Sequence, residues 1–184
     1  VGNGDALSAG ALAIQNATDV TFQNTGNITV NNGAFTINTG ISSDIDTSAV
    51  ANGISVTQDS AQLSFVAGDN ISLASVTTRN GDITATPGAG DNLILTGGIL
   101  NITNGSGNVT LGENGAGNGQ IIATAGGLNI SNPIDVIVTS SGALTVDNGS
   151  GFLINNGTGS INLSPVTTIA VGSNLPLSWT SSTA

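Results

Sequence analysis

The chain has 184 residues, of which 38% are hydrophobic, 7% charged and 3% aromatic, with a formal net charge of −10. Arg79 is its single basic side chain, so no Lys/Arg cluster exists to displace counterions from phosphates or to hold anionic lipid; nucleic acid is excluded as a partner. His, Cys, Tyr and Lys are absent, which removes the commonest general bases and nucleophiles, and no apolar run approaches the roughly 18 residues of a membrane span, which excludes membrane insertion.

Disordered chains combine low hydrophobicity with high charge density. This one has the opposite composition, so it can bury surface through many Val, Ile and Leu side chains. It begins at Val1 and contains no Met, and is read as a processed product or an excerpt of a longer polypeptide. Residues 1–19, rich in Gly and Ala, are expected to form an irregular capping coil. From residue 20 a regular beat begins: Val20-Thr21-Phe22, Ile28-Thr29-Val30, Phe35-Thr36-Ile37. Each triplet alternates apolar with Thr, the period-2 mark of a half-buried strand. Over 38–53 the beat blurs, with Asp44 and Asp46 flanking Ile45, and a loop or bulged strand is expected. It resumes at Ile54-Ser55-Val56, Leu63-Ser64-Phe65, Ile71-Ser72-Leu73 and Ile83-Thr84-Ala85, followed by a Pro87-Gly88 turn. The clearest stretch holds Leu93-Ile94-Leu95, Leu100-Asn101-Ile102 and Val109-Thr110-Leu111, and the rest of the body repeats it to Ile169-Ala170-Val171. A tail over 172–184 carries Trp179, the only Trp, which is expected to close one end of the core.

Spacing gives these beats an architecture. One column starts at 93, 121, 144 and 169, with steps of 28, 23 and 25; a second at 100, 128 and 152, with steps of 28 and 24; a third at 109, 136 and 161, with steps of 27 and 25. Upstream, 35, 63 and 93 step by 28 and 30. Three short strands per turn of about 25–28 residues is the pattern of a three-sided solenoid whose coils stack on one another. The expected fold is therefore an all-β parallel β-helix of about seven coils over residues 20–171. Many short strands at regular spacing also fit the alternative, an antiparallel β-sandwich or jelly roll; the three-column regularity favours the helix.

Candidate chemistry is confined to carboxylates and hydroxyls. Asp44 and Asp46, two apart on a strand, would face one way about 7 Å apart, which is in the range of an inverting glycosidase pair. With almost no cation or imidazole to assist at a sugar, they read as solvated acids, and the chain is expected not to be an enzyme and to need no cofactor. Calcium takes oxygen ligands from Asp, Asn and carbonyls, so Asp44, Asp46, Asp69 and Asp91 are the candidate ligands of a structural calcium. Gly88-Ala89-Gly90-Asp91 matches only a fragment of the Gly/Asp nonapeptide of calcium-binding β-rolls.

The run GDITATPGAGDNLILTGGILNITNGSGNVTLG over 81–112, with its G-D-I-T-A start and L-x-L-T/N alternation between Gly/Asn corners, resembles the repeats of filamentous-haemagglutinin-like and related autotransporter adhesins of bacterial surfaces. The resemblance extends over about residues 20–171. It implies a right-handed parallel β-helix, secreted and displayed at the cell surface. The secretion domain of those haemagglutinins carries Asn-Pro-Asn; here Asn132-Pro133 is followed by Ile134, which argues against this being that domain.

A β-helix has two ends of unpaired strand edges, which natural proteins guard with charge, Lys above all, or with caps. This chain has no Lys, so its ends are expected to join more of the same polypeptide or to dock head-to-tail on neighbouring copies, giving a filament. The expected function is that of a non-enzymatic structural protein of the cell surface: a self-associating β-helical subunit or segment of an extracellular adhesive fibre. The alternative is a monomeric carbohydrate-binding passenger domain that meets surface glycans through Asn, Asp, Thr and the aromatics Phe35, Phe65, Phe152 and Trp179.

Overall fold

A computed structural model describes residues 10–23, 26–97, 99–102, 107–124, 128–146, 151–156, 159–172 and 175–181. Residues 1–9 of the expected capping coil and 182–184 of the expected tail lie outside the described residues. Numbered in chain order, the strands fall in turn into three sheets. Sheet A holds β1 (Gly10–Ala17), β4 (Asn32–Ile41), β7 (Leu63–Gly68), β10 (Ile83–Thr86), β13 (Val109–Leu111), β16 (Val136–Val138) and β19 (Ile161–Asn162). Sheet B holds β2 (Val20–Thr21), β5 (Ile45–Asp46), β8 (Ile71–Leu73), β11 (Leu93–Leu95), β14 (Ile121–Ala123), β17 (Ala143–Val146) and β20 (Thr168–Val171). Sheet C holds β3 (Ile28–Val30), β6 (Ile54–Val56), β9 (Val76–Thr78), β12 (Ile99–Ile102), β15 (Leu128–Ser131), β18 (Phe152–Asn156) and β21 (Leu177–Ser181).

Every pairing between these strands is parallel, and each strand pairs with the one a full coil away. The chain is a three-sided parallel β-helix, and the antiparallel sandwich is excluded. Seven strands per sheet, at the usual spacing of about 4.8 Å, make a body about 30 Å tall.

Alternation sets which side chains go inside. In β3, β6, β8, β9, β11, β13, β14 and β16 the first and third residues are buried and the middle one is half-exposed. The interior is a column of Ile, Val and Leu, each fully buried side chain contributing about 1.5–3 kcal/mol. The few aromatics are concentrated near the N-terminal half: Phe35 lies 5.9 Å from Phe22 and 5.4 Å from Phe65, centroid to centroid. At one corner Thr47 is wholly buried, and its hydroxyl donates to the Ser72 carbonyl (3.1 Å) and accepts from the Ala74 amide (2.9 Å).

Two columns read from spacing are in register as expected: Leu93, Ile121, Leu144 and Ile169 in sheet B, and Val109, Val136 and Ile161 in sheet A. The other two are in register from Phe35 to Leu63 and from Leu128 to Phe152, and each requires correction at one step. Leu63 pairs with Ile83, not with residue 93, because the coil between them turns on tight corners and spans 20 residues from 63 to 83. Leu100 pairs with Ile130 rather than Leu128; a slip of two residues leaves every side chain on its original face, so alternation does not detect it.

The boundaries also differ in detail. Gly10–Ala17 forms an eight-residue strand where irregular coil is expected, with Leu12 beside Phe35 and Ile14 beside Ile37. In the blurred 38–53 passage, β4 continues to Ile41, its register with β7 breaks between Asn38 and Ile41, and the short β5 follows. The tail adds β21 as the last strand of sheet C.

Candidate functional site

The corner leading into sheet B carries the acids singled out by sequence. Asp19, Asp44, Asn70, Asn92 and Gln120 form one ladder across the coils. Asp19 Oδ1 accepts the Asp44 amide (3.0 Å), Asp44 Oδ1 the Asn70 amide (2.9 Å), Asn70 Oδ1 the Asn92 amide (3.0 Å) and Asn92 Oδ1 the Gln120 amide (3.1 Å). A second ladder climbs the corner into sheet A, from Asp82 to the amide of Asn108 (2.8 Å), Asn108 to Asp135 (3.1 Å) and Asp135 to Ser160 (2.6 Å). At both corners a short Asx side chain satisfies a backbone donor where the strand ladder stops.

Asp44 is thus a rung of a structural ladder. Asp46 turns its Oδ1 to the Ser48 amide (2.9 Å) in a local turn. The two flank the buried Ile45 and face outward, each with an oxygen committed to a backbone amide. Asp69 meets Asp91. The hydrogen bond between these carboxyls raises Asp69 above its ordinary value; partial burial and the Asp91 charge add to that, and the Asn70 amide opposes it. The Asn70 side chain also donates to Asp69 (2.9 Å) and to Asp44 (3.4 Å). The four candidate calcium ligands are therefore not brought to one point, and among the described residues no group of three or more acidic, His or Cys side chains is placed to hold a metal.

Glu113 was not singled out by sequence. It is the only glutamate in the chain, lies in the 112–120 excursion between β13 and β14, and is 2% exposed. Its Oε1 accepts the Ser141 amide (2.9 Å) and hydroxyl (2.6 Å); its Oε2 accepts the amides of Gly90 (2.8 Å) and Gly119 (3.3 Å). Burial alone pushes this carboxyl up, but the bonds from Ser141, Gly90 and Gly119 outweigh it and hold the group below its ordinary value. Gly117 must be Gly to close the loop, since a Cβ there would lie 2.2 Å from the Gly90 nitrogen. The result is a buried anion that ties three neighbouring coils together. Its partners lie 23, 6 and 28 residues away in sequence, so no local motif announces it.

The aromatics proposed for glycan contact divide sharply. Phe35, Phe65 and Phe152 are wholly buried in the coil interior, and the structure removes them as surface contacts. Trp179 is 51% exposed and Leu177 49%. Both occupy core positions: they stand in register with Ile154 and Phe152, which are 2% and 0% exposed one coil below. Ile161, Ile169 and Val171 of the same last coil are likewise only partly buried. Among the described residues, the last coil is thus a layer of core-type side chains with no further coil over it, edged by β19, β20 and β21.

Stacked coils, three parallel sheets and aligned corner ladders define a β-solenoid, a β-helix repeat protein. No protein-family model, curated protein or solved structure matches the chain.

Proposed function

We propose that this chain is a non-enzymatic structural segment of an extracellular, adhesive β-helical fibre of the filamentous-haemagglutinin type, whose ends are covered by more β-helix. The observation that carries the reading is the last coil, where Leu177 and Trp179 keep core identity and core direction at about half exposure. A side chain of that kind is stabilised by a further layer, supplied either by continuation of the polypeptide or by a second copy. The geometry suits a second copy: the last three strands present sheets A, B and C in the same order as the first three, so β1, β2 and β3 of a neighbour extend all three sheets. Neither end carries a Lys to discourage such pairing.

The test is sedimentation and negative-stain microscopy across a concentration series. Growth into rods with concentration is expected, together with a blue shift of Trp179 emission as it becomes covered. Trp179→Asp is expected to hold the protein monomeric. Monodisperse particles at every concentration, with Trp179 emission unchanged, would overturn self-assembly.

A further inference from the structure

The outer face of sheet C carries a depression of about 210 Å³ beside the corner where the chain passes from sheet B to sheet C. Its lining includes Asn52, Gly53, Ser55, Ser75, Thr77 and Ile99, and no charged residue, on a chain of net charge −10. Its floor is bare because it has to be. Gly53 has a φ of +82°, and a Cβ there would lie 2.7 Å from the Ser75 carbonyl oxygen. Three of its polar side chains are uncommitted, while those of Asn27 and Ser55 are held by Thr29. No hydrogen bond ties the side chains of Asn52, Ser75 or Thr77 to another described residue, whereas Ser55 and Thr29 next to them bond each other at 3.2 Å. Ile99 is 47% exposed and turns outward, in register with the polar Asn129.

We propose that this depression binds a neutral sugar residue of a glycan. A pyranose presents a rim of hydroxyls, which donate and accept, around an apolar C–H face. The amide of Asn52 and the hydroxyls of Ser75 and Thr77 supply matching donors and acceptors, and Ile99 supplies the apolar platform. Acidic sugars and phosphates are disfavoured, because no cation lines the wall and the surrounding field is negative. The volume is below the roughly 300–1,000 Å³ of pockets that take drug-sized ligands, so one sugar ring enters. The outward column Thr29, Ser55, Thr77 and Asn101 gives the rest of the glycan an uncharged stripe along the stack. The site exists in the single chain; a fibre multiplies it and raises avidity without new contacts.

The experiment is binding of the full chain to an array of neutral gluco-, galacto- and manno-oligosaccharides printed beside sialylated and sulfated ones. Binding to at least one neutral class is expected. Thr77→Val and Ile99→Asp are each expected to reduce it at least tenfold, while Thr110→Val on the outer face of sheet A leaves it unchanged. All three positions face outward, and circular dichroism checks that each variant folds; Asn52→Ala replaces any that does not. Absence of neutral binding, binding to acidic glycans alone, or neutral binding that survives both variants would each overturn the site. None of these outcomes depends on sedimentation, so failure here is distinct from failure of the fibre reading.

Discussion

The coils through Leu63–Leu111 and the last coil through Ile161–Ser181 are written in the same alternation, yet they differ in what that alternation achieves. In the middle, inward residues such as Phe65, Leu93 and Val109 are completely enclosed. At the C-terminal end, Leu177 and Trp179 point the same way and remain half open. Pattern decides direction; only the neighbouring coil decides burial. In a repeat protein the energetic worth of a side chain is therefore a property of its position in the stack as much as of its type.

Substitution can break or sharpen that contrast. The largest effect is expected for Phe65→Ala, which opens a cavity among Phe35 and the surrounding aliphatics and should cost about 3–5 kcal/mol in urea denaturation. Glu113→Ala should come next, at about 2–3 kcal/mol, because it strands the buried amide of Gly119 and removes the part-buried bonds from Gly90 and Ser141. Its pH dependence has a definite sign. The folded carboxyl titrates below its ordinary value of 4.5, so its stabilisation is complete above that value and is lost as pH falls through the depressed one. Stability of the native protein minus that of Glu113→Gln should accordingly shrink on acidification. Trp179→Ala, at the open end, should cost about 1 kcal/mol or less in the dilute monomer; a loss equal to that of Phe65→Ala would abolish the distinction between middle and end.

The smallest effect is at the surface acid pair. The folded Asp69 carboxyl is raised above its ordinary 3.8, so its contribution favours folding in acid and is lost as pH rises through the raised value. Asp69→Asn should therefore raise the melting temperature slightly at pH 7 and leave it unchanged near pH 3. This is the opposite pH sense to Glu113→Gln, and melting curves of both variants at the two pH values separate them.

Much of the architecture is legible in the order of residues, and the exceptions have physical causes. Leu93, Ile121, Leu144 and Ile169 are identifiable because strands of one sheet recur at nearly constant intervals and branched aliphatic residues mark them. The coil from Leu63 to Ile83 is misplaced by spacing alone, since its corners are shorter than those of its neighbours. The slip between Leu100 and Ile130 is invisible because a two-residue shift preserves inside and outside. Gly10–Ala17 lacks the Thr/Val alternation, and its strand character comes from pairing with β4. Asp44 and Asp46 stand out as acids in an acid-poor passage, but their duties as amide acceptors depend on residues a coil away or around a turn. Glu113 shows the same limit in its strongest form, since its ligands converge only after the loop over 112–120 has folded back.

Because every strand runs the same way around the stack, the molecule has a direction, like an arrow. Its two tips are chemically different surfaces, so joining two like tips would set strand edges against each other in opposing senses and lose the continuous sheets. Any coil added over the Trp179 layer in the same sense keeps that polarity, so the direction of the stack is preserved however long it becomes.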